Sequence, residues 1–490
     1  MLRLPCSASL ALALVGASSS ALAGGPESAH HGRGTAGVFW FMHLSDTHIG
    51  ANAIEGPNAT PHLERALGEA VSIIAPRFVA VTGDLTDGSK FGVPAAGQDQ
   101  GQWDAFKQIY GQAGMTADFF FDLPGNHDGY GDTGLGFYLA NSLQGQHNQA
   151  LYTSWEVQTP VGTYFFFGLN SAGNGSGPFV EQPAFTADEI AALEAGLASH
   201  ASGELSFVLG HHRLTQPDNA AQVVDAIQTN GGAFYLHGHV HDYDAYTEAG
   251  GSVVVHEVGS LGKQDTANIA VGIVDHNAFI HRATDVTAPW PLVVVTTPVS
   301  TTLLNGEANP YAYTVCKDRP DNPFRAVVFA PEAPTEVTVQ AAGLPAVPMA
   351  LVPGTGSLFE AELDTSSLQA GTVDVTVTAT FESGAAQETV AAEFVDGPCE
   401  ALPDDGNGGF GGAGGGAGLG GQGGAAVGGQ GGAGAGSGAT GGAGVGNPAD
   451  PESASGCGCA LPGRATGGGA AVAVLGLALA LVVRRRRAAP

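Results

Sequence analysis

Residues 38–48 read VFWFMHLSDTH, an unbroken run of apolar and aromatic residues that ends in an aspartate and a histidine. Similar runs follow as far as His281, among them FVAVTG, DFFFDL, TYFFFGL, LSFVLG, AFYL, SVVVHEV and IAVGIV, and helical patterns alternate with them. Runs that are apolar throughout are typical of strands buried on both faces, and their alternation with helices is typical of layered α/β folds. We therefore predict an α/β domain over residues 37–287.

Polar side chains follow five of these runs, at the point where each predicted strand ends. The five groups are Asp46-Thr47-His48, Gly83-Asp84-Leu85-Thr86-Asp87, Gly125-Asn126-His127-Asp128, His211-His212 and His237-Gly238-His239-Val240-His241. Functional sites in layered α/β folds are built at the carboxyl ends of strands, so these loops can converge on one point. A single aspartate or histidine in a loop is usually a turn or capping residue, but an ordered set of five such loops is specific.

The residue types in these loops predict a centre with two metal ions. Mixed imidazole and carboxylate ligands suit Mn, Fe or Zn, whereas Mg and Ca prefer shells made entirely of oxygen. The five loops offer more candidate ligands than one catalytic ion with an open position requires. Two ions about 3.5–4 Å apart activate a hydroxide and neutralise the attacking and leaving oxygens in phosphoryl transfer. The expected cofactors are therefore two divalent or trivalent ions.

The ordered set DxH, GDxxD, GNHD, a single histidine and GHxH resembles that of the calcineurin-like metallophosphoesterase superfamily, over residues 38–285. The resemblance implies a four-layer metallophosphoesterase β-sandwich flanked by helices. It also implies hydrolysis of small phosphomonoesters or phosphodiesters by metal-bound hydroxide. Carried over by motif, the ligands of the first ion are Asp46, His48 and His241, those of the second are Asn126, His211 and His239, and Asp84 bridges the two ions.

The resemblance also implies roles for the residues beside these ligands. His127 matches a position that is not a ligand in the family, so it is expected to contact the leaving-group or phosphoryl oxygens, where a protonated imidazole stabilises developing charge. Asp128 is expected to orient His127 by a hydrogen bond. His237 lies outside the motif and is expected in the core or behind the ligands. His212 is left open between support of the ligands and contact with substrate, and Arg213 between a phosphate contact and a surface position.

Departures from the family's better-known branches narrow the subclass. Asp87 stands where purple acid phosphatases have tyrosine, and Gly88 stands where protein Ser/Thr phosphatases have arginine. The chain looks more like the broad, extracellular phosphatase and phosphodiesterase branch. The alternative is a catalytically inactive surface binding protein that keeps the metallophosphoesterase fold and its metals. The complete ligand set and the presence of His127 favour the enzyme.

The charge of the chain excludes one class of partner. The sequence has 46 acidic and 17 basic residues and a formal net charge of −29. Proteins bind long nucleic acids through many basic contacts to phosphates, which this composition does not offer. We therefore expect a small phosphoester substrate and no long nucleic acid partner.

A second, β-rich region is predicted for residues 288–400. Helical periodicity ends near Trp290, and short apolar segments separated by turn residues follow, among them PLVVVTTPV, AVVFA, TEVTVQAA and VDVTVTATF. Strands repeated every 10 to 15 residues in this way predict a small all-β, immunoglobulin-like sandwich. Cys316 and Cys399 bracket the segment, and in an exported protein they are expected to form a disulfide.

The N-terminal end of the chain predicts export. Residues 1–23 combine Arg3, an apolar stretch and the small-residue pattern Ala21-Leu22-Ala23, which together are typical of a secretory signal peptide. Residues 24–36 are expected to form a flexible segment before the first domain.

The C-terminal end predicts anchoring at the cell surface. Residues 401–456 are glycine-rich and are expected to form a disordered linker. Residues 457–490 contain Cys457-Gly458-Cys459, an apolar run at 467–483 that is long enough for a transmembrane helix, and Arg484–Arg487. This tail resembles the C-terminal sorting tails of myxobacterial surface proteins (the MYXO-CTERM type). We expect it to contact the membrane or a sorting and processing enzyme, and either to hold the protein at the surface or to be cleaved.

Overall fold

The computed structural model describes residues 32–51, 56–88, 97–173, 183–201, 205–251, 253–263 and 267–402. The predicted signal peptide (1–23), residues 403–456 of the predicted linker and the predicted sorting tail lie outside these residues, as does the predicted membrane span at 467–483. Across the described ranges, no helix has the length and the apolar character needed to cross a membrane.

The N-terminal part of the described chain contains two sheets and several helices. Its strands are β1 (Val38–Leu44), β2 (Val79–Thr82), β3 (Phe120–Leu123), β4 (Thr153–Gln158), β5 (Thr163–Gly168), β6 (Ser206–Leu209), β7 (Gly232–His237), β8 (Asp244–Glu248), β9 (Val253–Glu257), β10 (Asn268–Asp275) and β11 (Ala278–Asp285). Its helices are α1 (Ala59–Arg65), α2 (Val71–Ile74), α3 (Gln100–Gln112), α4 (Gly136–Asn141), α5 (Leu143–Asn148), α6 (Ala187–Ser199) and α7 (Ala220–Asn230); a π-helical stretch (Ala66–Ala70) joins α1 to α2, and His127–Gly129 form a 3₁₀ turn.

The two sheets are built around parallel strands. The first sheet has the order β11-β10-β1-β2-β3, in which β1, β2 and β3 run parallel to one another. The second sheet has the order β4-β5-β6-β7-β9-β8, in which β5, β6, β7 and β9 run parallel. The parallel strands of each sheet therefore end side by side at one edge of their sheet.

The sheets pack face to face, and helices cover both outer surfaces. Phe41 of β1 contacts Phe166 of β5 edge to face, with ring centroids 5.5 Å apart, in the apolar layer between the sheets. Helices α1 and α3 pack on the outer face of the first sheet, and α6 and α7 pack on the outer face of the second. This arrangement has four layers, so the predicted α/β fold class is confirmed.

The helices follow the sequence signals that predict them. Thr186 and Glu189 form the two reciprocal hydrogen bonds of a capping box at the start of α6, which satisfies backbone donors that have no partner within the helix. Leu63, Leu67 and Ile74 recur at helical spacing between β1 and β2 and are buried against the first sheet. These three apolar residues are therefore part of the core.

The C-terminal part of the described chain is all-β. Its strands are β12 (Leu292–Thr297), β13 (Thr314–Cys316), β14 (Asn322–Phe329), β15 (Glu336–Ala341), β16 (Val347–Pro348), β17 (Ala350–Leu351), β18 (Leu358–Leu363), β19 (Gly371–Phe381) and β20 (Gly384–Val395). They form two sheets, ordered β12-β14-β18-β17 and β13-β20-β19-β15-β16, around a shared apolar core. Cys316 and Cys399 form the predicted disulfide, with Cα atoms 5.5 Å apart. The region is β-rich as predicted, and its membership of the immunoglobulin-like class stays a prediction.

The two regions share a buried junction. Trp40 of β1 packs edge to face against Phe329 of β14, with ring centroids 5.7 Å apart. Arg325 of β14 forms a fully buried ion pair with Asp275 of β10, in which Nη2 and Oδ1 are 2.8 Å apart. An apolar contact and a buried ion pair thus join the β-rich region to the first sheet.

Candidate metal centre

The five polar loops of the sequence meet at one place. They follow β1, β2 and β3 in the first sheet and β6 and β7 in the second. Because these strands are parallel neighbours and the sheets are stacked, the five carboxyl ends lie together. The possible ligand atoms of Asp46, Asp84 and His211 all lie within 4.8 Å of one another, although the three residues come from three different loops.

The three residues predicted for the first ion are close together. The Oδ1 atom of Asp46 lies 3.0 Å from Nε2 of His241, and Nε2 of His48 lies 3.3 Å from the same nitrogen. The backbone N–H of His239 donates to Oδ2 of Asp46 over 2.9 Å. This bond holds one carboxylate oxygen and leaves the other facing the two histidines.

The three residues predicted for the second ion form a matching group. The Nε2 atom of His211 lies 2.9 Å from Oδ1 of Asn126, and Nδ1 of His239 lies 3.1 Å from the same oxygen. The amide nitrogen of Asn126 donates to the hydroxyl of Tyr130 over 2.9 Å, so the amide oxygen is turned toward the histidines.

Asp84 lies between the two groups. Its Oδ2 atom is 3.3 Å from Nε2 of His211 on one side and 3.6 Å from Nε2 of His48 on the other. Its second oxygen, Oδ1, accepts the backbone N–H of His127 over 2.8 Å. One carboxylate oxygen is therefore anchored by the backbone, and the other stands where a ligand shared by two ions would stand.

The donor set fits cations. The Nδ1–H of His211 donates to the carbonyl oxygen of Thr82 over 2.7 Å, so Nε2 of a neutral ring presents a lone pair to Oδ1 of Asn126. Two facing acceptors repel unless a positive charge lies between them. Burial lowers the pKa of His211, but Asp84 and Asp46 outweigh burial and raise it to about 10. The pocket thus favours positive charge at this position, and a metal ion would supply it.

Two of the other histidines are held in the form that binds metals. Burial lowers the pKa of His48 to about 4, against an opposing effect of Asp46, and burial also lowers the pKa of His239 to about 4. Both rings are therefore neutral near pH 7, as a metal-binding imidazole must be.

The backbone of the centre is in an unusual conformation. Five candidate ligands lie in the left-handed region: Asp46 (φ 53°), His48 (φ 44°), Asp84 (φ 50°), His239 (φ 70°) and His241 (φ 65°). Residues other than glycine adopt this conformation rarely, and each costs about 1–3 kcal/mol when strained. Such a concentration in one pocket is typical of functional sites, where the surrounding structure enforces the geometry.

Two motif glycines allow the loops to approach each other closely. A Cβ atom on Gly125 would lie 2.2 Å from the backbone nitrogen of Asp84, and one on Gly238 would lie 1.9 Å from Oγ of Ser45. Neither distance is possible between real atoms. Glycine is therefore required in GNHD, where two loops of the first sheet touch, and in GHxH, where loops of the two sheets touch.

The predicted hydrogen bond between Asp128 and His127 is wrong. The Nδ1–H of His127 donates to the carbonyl oxygen of Asp87 over 2.7 Å, and Oδ1 of Asp87 lies 3.8 Å from the same nitrogen. Asp128 instead accepts the backbone N–H groups of Leu85, Thr86 and Gly125, each within 3.0 Å. Through these backbone donors Asp128 joins two ligand loops, and the His127 ring is oriented by Asp87 instead.

We expect Asp128→Asn to loosen the centre. The new amide group would face backbone donors, which lowers the free energy of unfolding by about 1–3 kcal/mol. Metal affinity should fall by about 10–100-fold, as for other groups that orient metal ligands. Urea unfolding and Mn²⁺ titration measure the two effects.

Asp122→Asn is the matched control for this prediction. Asp122 is equally buried and accepts the backbone N–H groups of Leu143 and Gln144, but it joins no ligand loops. Its replacement should cost stability and leave metal affinity unchanged. Equal metal affinity in both variants would contradict the role given to Asp128.

Some residues of the site carry no role in the sequence analysis. The Nζ atom of Lys263 lies 2.8 Å from Oδ1 of Asp87, and the same oxygen lies 3.6 Å from Nδ1 of His48. Asp87 belongs to the GDxxD motif, and this motif is the sequence signal that could have identified it as a residue of the site. Lys263 stands in an irregular loop after β9, so only its scarcity as a basic residue could have drawn notice.

The structure places the three basic residues whose roles the sequence did not decide. His212 is buried, with Nδ1 2.9 Å from Oγ of Ser171, which favours support of the ligands. His237 is also buried, and its Nδ1–H donates to the carbonyl oxygen of Gly238. Arg213 lies 3.5 Å from Oε2 of Glu257.

The comparison with known protein families agrees with this fold and this site. Residues 39–243 match the family described as calcineurin-like phosphoesterase. The matched stretch is thus similar to calcineurin-like phosphoesterases, and it includes all the candidate ligands.

Curated relatives match the chain in part. A protein of Arabidopsis thaliana that is named as a metallophosphoesterase is 26% identical over 143 residues, which are 27% of this chain and 19% of that protein. Transmembrane protein 62 of Mus musculus is 26% identical over 282 residues, which are 54% of this chain and 41% of that protein. The chain thus spans less than half the length of either relative.

One similar solved structure comes from Plasmodium. It is titled GAP50, the anchor in the inner membrane complex, and it is 13% identical with a TM-score of 0.35. The match covers 51% of this chain and 86% of that chain.

Proposed function

We propose that the protein is a dinuclear metal-dependent phosphoesterase that hydrolyses small phosphomonoesters or phosphodiesters. The observation that carries the proposal is the position of Oδ2 of Asp84 between two groups of ligand atoms, 3.3 Å from His211 and 3.6 Å from His48. A shared carboxylate between two histidine-rich groups is what a two-ion centre requires. The family match over residues 39–243 supports the same activity.

The residues of each group would hold one cation. Asp46, His48 and His241 would bind the first, and Asn126, His211 and His239 would bind the second, with Asp84 shared. When bound, such a pair supplies activation of a water molecule and neutralisation of charge on phosphoryl oxygens. Mixed nitrogen and oxygen donors favour Mn, Fe or Zn over Mg or Ca.

His127 is the residue that we assign to the substrate. Its side chain is 19% exposed, whereas the side chains of Asp46 and His48 are fully buried. Because Nδ1–H donates to Asp87, Nε2 is left facing the centre, 3.9 Å from Oδ2 of Asp84. From there the ring can contact a phosphoryl oxygen and protonate a leaving oxygen.

His127→Gln is expected to lower kcat by about 10²-fold or more with no change in metal content, because glutamine keeps a donor but cannot transfer a proton. Steady-state kinetics with p-nitrophenyl phosphate, together with metal analysis, measures both quantities. His147→Gln, at an exposed position of α5, serves as control. Loss of metal from the His127 variant would instead make this residue a ligand.

The proposed phosphoesterase activity is tested with the full-length protein in the presence of Mn²⁺. Hydrolysis of p-nitrophenyl phosphate or of bis-p-nitrophenyl phosphate, with about two ions bound per chain, supports the proposal. Absence of turnover on both compounds, together with two bound ions, would favour the alternative of a catalytically inactive surface binding protein. Absence of bound metal would contradict both functions.

We also propose that the protein is exported and attached to the cell surface. The support lies in the sequence of residues 1–23 and 457–490, and in the disulfide between Cys316 and Cys399, which is typical of oxidising compartments. Mass spectrometry of the native protein should find an N-terminus near Gly24. A peptide that contains intact residues 1–23 in the mature protein would contradict export.

A further inference from the structure

A cavity of about 260 Å³ lies at the junction between the phosphoesterase domain and the β-rich region. Strands β8, β9 and β11 contribute one part of its lining, and β12, β20 and the loop after β12 contribute the rest. None of the lining residues is a candidate metal ligand. We call this space the junction cavity.

Most polar groups that line the junction cavity bond to one another or to the backbone. The hydroxyl of Tyr243 donates to the carbonyl oxygen of His281 over 2.8 Å. The hydroxyl of Ser300 donates to the carbonyl oxygen of Thr302 over 3.0 Å, and Nδ2 of Asn309 donates to that of Ser300 over 2.9 Å. These groups therefore do not need a ligand.

His256 lines the same cavity but differs from these groups in its hydrogen bonding. The residue is 5% exposed, and among the described residues neither of its ring nitrogens has a hydrogen-bond partner. The Nδ1 atom of His281, whose ring centroid lies 5.2 Å from that of His256, also has none. Buried polar atoms without a partner are rare and costly in folded proteins, so a bound molecule is the simplest account of a cavity beside them.

The charge and shape of the junction cavity indicate the class of that molecule. Arg282 of the lining is paired with Glu388, which neutralises its charge. Burial lowers the pKa of His256 to about 3, which keeps its ring neutral. A neutral imidazole donates one hydrogen bond and accepts another, as a hydroxyl group does. Phe279 and Val295 supply apolar surface for the rest of the molecule.

We propose that the junction cavity is a second ligand site, which binds an uncharged molecule with a hydroxyl group and a small apolar body. His256 exchanges hydrogen bonds with the hydroxyl group. The volume suffices for one ring, because an engineered cavity of about 150 Å³ binds benzene. The site is independent of the proposed phosphoesterase reaction, and binding is measured without substrate.

Phenol and toluene test the proposal, since they have nearly the same shape and differ in the hydroxyl group. Isothermal titration calorimetry on the full-length protein should give saturable binding of one phenol per chain, about tenfold tighter than toluene. If phenol does not bind saturably, the junction cavity holds only water and the proposal fails. Equal affinity for phenol and toluene would overturn the role of the hydroxyl group.

His256→Leu tests the assigned residue. Leucine removes the two nitrogens that have no hydrogen-bond partner, so the unliganded variant should unfold at a higher temperature than the wild type. Its affinity for phenol should fall about tenfold, to that for toluene. His147→Leu, at an exposed position, is the control and should change neither value. A lower unfolding temperature with unchanged phenol affinity would make His256 a structural residue and overturn the assignment.

Val299→Trp and Thr389→Phe locate the binding. Each adds a bulky group to the lining of the junction cavity, one in the loop after β12 and one on β20. Either variant, if its circular dichroism matches that of the wild type, should abolish phenol binding. Binding that survives in a folded variant would place phenol elsewhere and overturn the proposal.

Discussion

Replacing Asp84 with asparagine is expected to lower kcat/KM for p-nitrophenyl phosphate by about 10⁴-fold or more. Each cation at such a centre contributes several kcal/mol of transition-state stabilisation, and about 1.4 kcal/mol corresponds to a tenfold change in rate. Asp84 lies between both groups of ligands, within 3.6 Å of His48 and 3.3 Å of His211. Its loss therefore weakens the binding of both ions, whereas the loss of a ligand that contacts one ion weakens mainly the binding of that ion.

Metal content separates this effect from simple unfolding. Elemental analysis of Asp84→Asn should find one ion or fewer per chain, with a circular dichroism spectrum like that of the wild type. Asp225→Asn, on the exposed face of α7, is the matched control and should keep activity and metal content. Two ions retained by a folded Asp84 variant would contradict the shared-ligand position.

The location of the site could be predicted because two local signals coincide. Apolar runs such as VFWFMHL mark strands that are buried on both faces, and polar residues directly after them mark loops at the strand ends. Once the strands are parallel, the topology of the sheets brings the loops together, whatever the loops contain. The grouping of Asp46 with His241, 195 positions apart, follows from that topology.

The partners of individual side chains could not be predicted in the same way. Asp128 is adjacent in sequence to His127, yet its carboxylate bonds to backbone donors of the loop after β2, 42 and 43 positions away. Backbone N–H groups leave no signature in a sequence. The choice between them and an imidazole therefore depends on loop geometry.

The sequence also misses three of the four strands at the edges of these two sheets. β4, β8 and β11 are edge strands, and their segments lack a continuous apolar run. In β4 the burial alternates along TSWEVQ, because an edge strand needs fewer buried side chains than a central one. Apolar runs therefore report the central strands of each sheet and, among the four edge strands, only β3.

A fully buried arginine is the least predictable feature of the β-rich region, and its replacement should have the second large effect. Arg325 bonds to both oxygens of Asp275 over 2.8–2.9 Å, and the hydroxyl groups of Thr296 and Thr297 donate to Oδ2 of the same carboxylate. Arg325→Met should lower the free energy of unfolding by about 3–5 kcal/mol, since it leaves a buried carboxylate without its counter-charge. Urea unfolding measures the change, and Arg77→Met, at an exposed position, is the control.

The loss of unfolding free energy caused by Arg325→Met should depend on pH in a defined direction. Burial alone would raise the pKa of Asp275, but Arg325 and His276 together outweigh burial and hold the pKa well below 3.8. A carboxyl with a lowered pKa in the folded state contributes its stability above the pKa of the unfolded chain and loses it as the pH falls. The difference between wild type and Arg325→Met should therefore be largest between about pH 5 and pH 8 and should shrink below about pH 4.

A second substitution distinguishes the ion pair from packing. If the unpaired charge causes the loss, Asp275→Leu in the Arg325→Met background removes that charge and should restore most of the stability, because buried ion pairs can be replaced by apolar residues of similar volume. A double-mutant cycle then gives a large coupling between the two positions. If the two losses simply add, packing around β10 and β14 joins the regions, and the Arg325–Asp275 pair contributes nothing of its own.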